Sequence, residues 1–281
     1  MKRVLTCISC PFKRKNDILC SCIYGIDIDI HAVEVAKFSL LIKLIEDETA
    51  PSVSEVVPIL PDLGDNIQFG NSLVSQTELN GISGANHQMM EIAPFDWSTI
   101  NNGCGFDVII GNPPYVNTEG MHALLPSAEV EIYKKKYKTS HKQFDKYFIF
   151  IEQAINKINE NGLVCYIVPN KFFKIGAGEK LRNLIAKERM LVSLDDFGDA
   201  QLFEDKTIYS SIILLSKAKQ TSFVYSSVDS ANKLWAGEEV SSIELNSSVL
   251  NKLPWRLTTD FEFLTMLQRL DEVSVPITKH A

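Results

Sequence analysis

The chain has 281 residues, 45% of them apolar and 22% charged, which are the proportions of a globular protein rather than a disordered or fibrous one. No apolar run approaches the ~20 residues that a membrane-crossing helix needs, and the N-terminus lacks the apolar core of a signal peptide, so a cytoplasmic protein is expected. The net charge of −7 offers no global attraction for a polyanion, and any affinity for nucleic acid must be local or come from elsewhere.

In chain order, Cys7, Cys10, Cys20 and Cys22 come first. Their second pair is one residue short of the usual zinc spacing, and Cys20 and Cys22 flank what reads as strand sequence. Reduced structural thiols are therefore expected, and no metal site. Ile23 to Ile28 reads as a short apolar strand ending in acid. Asp29 then caps a helix with Val33, Ala36, Phe38, Leu40, Leu41 and Leu44 on its apolar side. Residues 50 to 65, which include Pro51, Pro58 and Pro61, read as irregular. Ile67 to Leu73 is a weak strand closing on Gly70-Asn71, and Gly81 to Asn102 is polar and broken, a surface excursion. Phe106 to Ile110 is a short buried strand that runs into Asn112-Pro113-Pro114-Tyr115. The polar segment Val116 to Lys142 holds the basic cluster Lys134, Lys135, Lys136, Lys138, His141 and Lys142, interleaved with Tyr133 and Tyr137. Such a run reads equally as a solvated helix face or as a phosphate-contacting lid. Phe144, Phe148, Ile151, Ala154, Ile155 and Ile158 recur at helical spacing, with Gly162 as a left-handed stop. Leu163 to Val168 is a continuous apolar strand ending at Pro169-Asn170-Lys171, followed by a helix from Gly178 to Arg189. Leu191 to Phe197 and Tyr209 to Leu215 complete the strands, and these last two are expected to pair. From Ser216 periodicity fades, apart from a last helix near Asp260 to Leu270. The alternation predicts an α/β fold, a parallel sheet covered by helices.

The tetrapeptide Asn112-Pro113-Pro114-Tyr115 carries the chemistry. An aromatic exocyclic amine or an amide has a delocalised nitrogen lone pair and is a poor nucleophile. A side-chain carbonyl from Asn112 and the backbone carbonyl of Pro113 can accept its two hydrogens, drawing the nitrogen toward tetrahedral geometry and aiming it at a methyl donor. Each proline fixes its own φ and biases the residue before it toward extended geometry, so the acceptors are placed before substrate arrives. Tyr115 offers a flat face for a planar base.

Taken together and in order, these segments resemble the gamma-type adenine-specific DNA methyltransferases, particularly those of Type IIG restriction-modification proteins, over Ile18 to Leu270. The resemblance implies a Rossmann-like fold with helices on both faces of the sheet, S-adenosyl-L-methionine as cofactor, double-stranded DNA as partner, and methyl transfer to the 6-amino group of a flipped adenine. Tyr-Gly-Ile-Asp27-Ile-Asp29 is similar to the family's second motif, so Asp27, with Ile28 beside it, is implied to bind the cofactor's ribose. Gly70-Asn71-Ser72-Leu73 is similar to the third, which implies that Asn71 and Ser72 contact the cofactor's adenine, Asn71 accepting from its amino group through the amide oxygen. Phe106 to Tyr115 resembles the fourth motif, which assigns catalysis to Asn112, Pro113, Pro114 and Tyr115 and brings Asn112 near the cofactor as well. Gln143 to Glu152 resembles the fifth, with Asp145 or Tyr147 near the site. Gly162 to Phe173 resembles the sixth and implies that Lys171 lies by the base. Leu202 to Leu215 resembles the seventh and eighth, where Phe203 takes the place of an aromatic packing on the flipped adenine. Lys134, Lys135, Lys136, Lys138 and Lys142 are candidates for the DNA backbone.

The sequence also departs from the pattern. The glycine-rich first motif is absent before Asp27, which implies that the cofactor loop and the sheet's central strand are missing, so the fold is expected to be incomplete at the N-terminus and the chain to bind S-adenosyl-L-methionine weakly or not at all. The expected organisation is a poorly matched segment at 1–17, a partial catalytic domain at 18–220, and a linker and helix at 221–281 leading toward a missing target-recognition domain. The partners of such a piece include the absent segments of its parent, and no membrane. Two other readings fit the same loop: methylation of a protein glutamine amide, and a catalytically dead fragment with a structural or DNA-tethering role.

Overall fold

The structure, a computed structural model, describes residues 10–53, 57–201, 209–230, 232–233 and 236–273. They fall into two compact units, one drawn from 1–104 with 126–132 and the other from 105–125 with 133–281. The fold is α/β, and among the described residues no helix is long and apolar enough to cross a membrane.

In the first unit, helix α1 (Phe12–Cys22) leads to strand β1 (Gly25–Asp27), then helix α2 (Ile30–Ile45) and strand β2 (Ile67–Phe69). The two strands pair in parallel, Gly25 opposite Ile67 and Asp27 opposite Phe69. Their small core is Phe12, Leu19, Val33, Leu44, Leu63 and Ile67. Helix α1 ends with carbonyls that have no partner within the helix, and the buried Asn66 amide supplies one, donating to the Cys20 and Ile23 carbonyls at 2.9 Å each. Asp29 caps α2 as expected, its Oδ1 accepting from the His31 amide at 2.8 Å.

The second unit is built on a six-stranded sheet. Strands β3 (Phe106–Gly111), β4 (Ile158–Pro169), β5 (Leu191–Gln201), β6 (Tyr209–Ser216), β7 (Ser222–Ser227) and β8 (Ser241–Asn246) lie in the order β3-β4-β6-β5-β7-β8. The β3–β4 and β5–β7 pairs are parallel and the other three antiparallel. Helices α3 (Thr118–Leu124), α4 (Ser127–Lys136), α5 (Lys146–Lys157), α6 (Glu179–Lys187) and α7 (Phe261–Val273) complete the long elements, the start of α4 grouping with the first unit. Helix α5 is buried almost all round, Lys146, Glu152 and Gln153 included, and Tyr147, Phe148, Ile149 and Ile151 are fully buried, the pattern of a helix sealed into a core rather than lying on a surface. The guanidinium of Arg182 on α6 is buried as well. Its Nη1 donates to the carbonyls of Phe172 at 2.6 Å and Ile175 at 2.8 Å, and its Nε to that of Lys252 at 3.1 Å. Trp255 stacks on Phe173 with ring centroids 6.0 Å apart, which fastens the chain after β8 to the turn following β4.

Several expectations change. Cys20 and Cys22 lie in the last turn of a helix instead of flanking a strand, and Cys7 lies outside the described residues. Phe38 points to solvent at 66% exposure, because α2 buries only Val33 and Leu44 fully. The stretch from Gly81 to Asn102 is no excursion: Ile92, Phe95 and Ile100 are buried, and the Asn71 amide donates to the Ala93 carbonyl at 2.7 Å. Gly162 does not stop a helix, since it lies inside β4. It is needed there because a Cβ would come within 2.7 Å of Ile158 Cβ and 2.9 Å of the Phe106 carbonyl oxygen. Residues 222–227 and 241–246 are strands of the main sheet where a linker was expected. Leu191 to Phe197 and Tyr209 to Leu215 do pair, antiparallel.

Candidate active site

Strand β3 delivers the chain to Gly111 and then to Asn112-Pro113-Pro114-Tyr115. A glycine fits at 111 because Tyr166 of β4 packs against it, 3.1 Å from where a Cβ would stand. Asn112 is exposed, Pro113 buried, Pro114 exposed and Tyr115 half-buried. The loop is thus anchored at its first proline and open at the carboxamide. Beyond it the chain is pinned: the Val116 carbonyl accepts from the Lys146 amide at 2.8 Å, Asn117 bridges to Asp145, and the Thr118 hydroxyl donates to the Phe144 carbonyl at 2.8 Å. The Asn117 side chain caps α3, accepting from the Gly120 amide at 2.8 Å.

Around this loop the second unit gathers three residues named from the sequence. The Tyr115 ring meets Tyr147 edge-on, with centroids 6.2 Å apart and planes at 83°. Tyr147 is fully buried and its hydroxyl donates to the Pro169 carbonyl at 3.3 Å; burial, then the charge of Asp145, holds that hydroxyl well above the usual tyrosine range. Asp145 is buried too and pairs with the half-exposed Lys171, whose Nζ stands 3.2 Å from Oδ1 and 3.1 Å from Oδ2. The Lys171 ammonium is therefore committed to Asp145 in this structure. The Tyr115 hydroxyl lies 2.6 Å from Asn112 Oδ1 and 3.1 Å from the Ile167 carbonyl oxygen, and burial pushes its pKa up to about 12. The Ile167 carbonyl left no trace in the sequence, because a backbone oxygen has no residue type of its own.

Of the expected cofactor residues, Asp27, Ile28, Asn71 and Ser72 lie in the first unit and Asn112 in the second. Asp27 ends β1 with its carboxylate exposed, Oδ1 accepting from the Asp29 amide at 2.8 Å, and Ile28 beside it is 47% exposed. A carboxylate held open at the C-terminal end of a parallel strand suits a ribose diol. Asn71 is different. It is buried, its Oδ1 accepts from the Leu73 amide at 3.1 Å, and its Nδ2 donates to buried Glu129 at 3.0 Å. The amide oxygen expected to meet the cofactor's adenine instead shapes its own turn, and Glu129, 58 residues away, was not foreseen. Ser72 is half-buried, with its carbonyl accepting from Trp97 Nε1 at 3.1 Å.

The basic cluster divides. Lys134, Lys135 and Lys138 are exposed; Lys136 lies 5.0 Å above the Tyr137 ring, and Lys142 stands 3.8 Å from a carboxylate oxygen of Glu179. Tyr133 and Tyr137 are buried, so the interleaved aromatics serve the core. Phe203 lies outside the described residues.

An Eco57I restriction-modification methylase family model matches residues 21–203. Among curated proteins, the chain is 41% identical over 250 residues to the Type II restriction enzyme and methyltransferase RM.Eco57I of Escherichia coli, which is 86% of this chain and 24% of that one. It is 27% identical over 184 residues to the Type II methyltransferase M.XhoI of Xanthomonas vasicola, covering 59% of this chain and 33% of that one. The chain thus spans a quarter to a third of the length of these relatives. Among solved structures, a nuclease-deletion mutant of the Type ISP restriction-modification enzyme LlaGI in complex with a DNA substrate mimic matches with a TM-score of 0.57 at 12% identity, over 90% of this chain and 23% of that one. A modification subunit of a putative type I restriction enzyme from Vibrio vulnificus matches with 0.54 at 12% identity, over 90% and 51%. The fold agrees with these structures, and the match of the family model across the greater part of the sequence establishes that the chain belongs to the Eco57I restriction-modification methylase family.

Proposed function

We propose that this chain carries the catalytic loop of a DNA adenine methyltransferase in a restriction-modification system, acting on the 6-amino group of an adenine turned out of the helix. The observation that carries this reading is the loop at the end of β3, a proline-anchored turn with the carboxamide of Asn112 open to solvent.

The amine to be methylated has its lone pair spread into the ring. Asn112 Oδ1 and the Pro113 carbonyl accept its two hydrogens, and this concentrates the lone pair on nitrogen. Because Pro113 is buried, the loop keeps its shape and little reorganisation is needed when the amine arrives. The half-buried ring of Tyr115, backed edge-on by Tyr147, gives the base a face to stack on and offsets part of the few kcal/mol that unstacking costs. Phe203 stays a candidate for the opposite face by its place in the sequence. No strong general base is required, because the amine proton becomes acidic once nitrogen is substituted.

The family implies S-adenosyl-L-methionine, which when bound supplies an electrophilic sulfonium methyl. Asp27 fits its ribose hydroxyls, being exposed at a strand end; the Asn71 side chain does not fit the role expected of it, because Leu73 and Glu129 occupy its amide. Lys134, Lys135 and Lys138 are exposed and are the ones proposed to meet DNA phosphates. Lys171 positions Asp145 rather than the base.

The test is Asn112→Ala in the full-length protein, assayed by transfer of labelled methyl from S-adenosyl-L-methionine to unmethylated genomic DNA. Loss of one acceptor at the reacting nitrogen is expected to lower kcat by roughly 100- to 1,000-fold. A variant as active as wild type would remove the loop from the mechanism.

A further inference from the structure

Lys134, exposed on α4, brings its ammonium within 3.1 Å of Nε2 of His122, exposed on α3. An ammonium has only hydrogens to give, so Nε2 accepts, the ring is neutral and its one N–H sits at Nδ1. Lys134 thus engages one hydrogen with an uncharged partner instead of a carboxylate. The pair keeps a full positive charge, two further ammonium hydrogens and the Nδ1–H of the ring.

The backbone beneath the pair is held from both sides. At the end of α4, Tyr133 and Tyr137 are buried and the Tyr137 hydroxyl donates to Gln153 Oε1 at 3.2 Å. The buried carboxylate of Glu152 on α5 accepts the amides of Lys138 at 3.1 Å and Thr139 at 2.8 Å. At the start of α3, Asn117 caps the helix and bridges to Asp145, which opens α5. Helix α5 therefore secures the helix of His122, the helix of Lys134 and the chain that leaves Tyr115.

We infer that His122 and Lys134 together hold one phosphate of the DNA backbone. A phosphate is met by what the pair presents, positive charge with several donors close together, and such a contact fixes the strand without reading sequence. Lys134 alone would be a point charge on a flexible four-carbon stem; the contact with His122 gives the ammonium one place and the ring one donor. Turning a base out rotates its nucleotide about the backbone, so a phosphate fixed on the same frame as the Asn112–Tyr115 loop keeps the strand in register.

The inference rests on the DNA reading above, and the experiment separates the two. Binding of the full-length protein to a labelled duplex of mixed sequence is followed by fluorescence anisotropy from about 50 to 200 mM salt, since phosphate contacts need no recognition sequence. Lys134→Ala is expected to weaken binding about tenfold and to make the slope of log affinity against log salt shallower by about 0.9. His122→Ala removes an uncharged donor and is expected to weaken binding about three- to tenfold with the slope nearly unchanged. His122→Gln, which can still accept from Lys134 and donate to an anion, should bind within about twofold of wild type. The double variant, Ala at both positions, is expected to lose less than the product of the two single losses, because both residues act on one phosphate. Losses that multiply would mean two separate contacts, and wild-type affinity in His122→Ala would leave the ring without a role. Either result overturns the clamp, while the DNA reading stands on the salt slope. If His122→Ala and His122→Gln both weaken binding and both lower the melting temperature, the ring serves folding and the clamp also fails. Wild-type binding that is absent or insensitive to salt would overturn the DNA reading itself, and the clamp with it.

Discussion

The two units solve unlike problems with unlike means. The second surrounds its loop with a six-stranded sheet, a helix buried on nearly every side and a cluster of rings formed by Tyr147, Phe148, Phe172, Phe173 and Trp255. The first holds Asp27 on a pair of three-residue strands beside one cluster of six buried apolar side chains among the described residues. The loop proposed to fix the hydrogen-bonding direction of an amine needs a rigid support, whereas the carboxylate proposed to meet a diol stands at an exposed strand end, its Oδ1 accepting from the Asp29 amide. The contrast teaches that the loop proposed to prepare the nucleophile is the one set in the larger sheet and ring cluster.

The comparison can be broken at its strong side first. Phe148→Ala empties a fully buried site on α5 and is expected to destabilise the second unit by about 3–5 kcal/mol, read as a lowered denaturant midpoint. A change below about 1 kcal/mol would mean that the second unit is not the rigid partner. Alkali gives a second, smaller handle. Burial raises the hydroxyl pKa of Tyr115, Tyr147, Tyr166 and Tyr225, all in the second unit. For a raised pKa the folded state keeps its proton after the unfolded chain has lost it, so stability is intact below about pH 10 and falls as pH climbs from there toward 12 and beyond. Hydrogen exchange followed from pH 9 to 12 should show the second unit loosening; stability that rises across this window would contradict the burial of those rings. The smallest expected effect is on the first unit: Asp27→Ala should weaken S-adenosyl-L-methionine binding by at least about tenfold, roughly 1.4 kcal/mol, with no change in melting temperature. Calorimetric titration of the full-length protein and its variant checks it, and equal affinities would remove Asp27 from the cofactor site.

Much of the second unit was legible in the sequence, for reasons that differ by residue. The strand into Asn112-Pro113-Pro114-Tyr115 was readable because an apolar run meets two residues that constrain their own backbone. Helix α5 was readable because its apolar spacing is regular. Strands β7 and β8 were not: Ser-Phe-Val-Tyr-Ser-Ser and Ser-Ser-Ile-Glu-Leu-Asn are rich in serine, and only pairing with β5 and with each other makes them strands. Asn71 and Lys171 each have a partner that was not foreseen, for a common cause. Each resembles a ligand-binding residue by place, and each is engaged by a distant carboxylate, Glu129 or Asp145, that no local pattern announces. Gly162 was misjudged because a glycine after a helix suggests a stop, while the structure uses it for the close approach of β3.

The most direct measurement is the identity of the methylated product. Full-length protein is incubated with unmethylated DNA and labelled S-adenosyl-L-methionine, the DNA is digested to nucleosides, and DNA and protein fractions are counted separately. Label is predicted as N6-methyldeoxyadenosine in the DNA; label in protein, or on cytosine, would contradict the account.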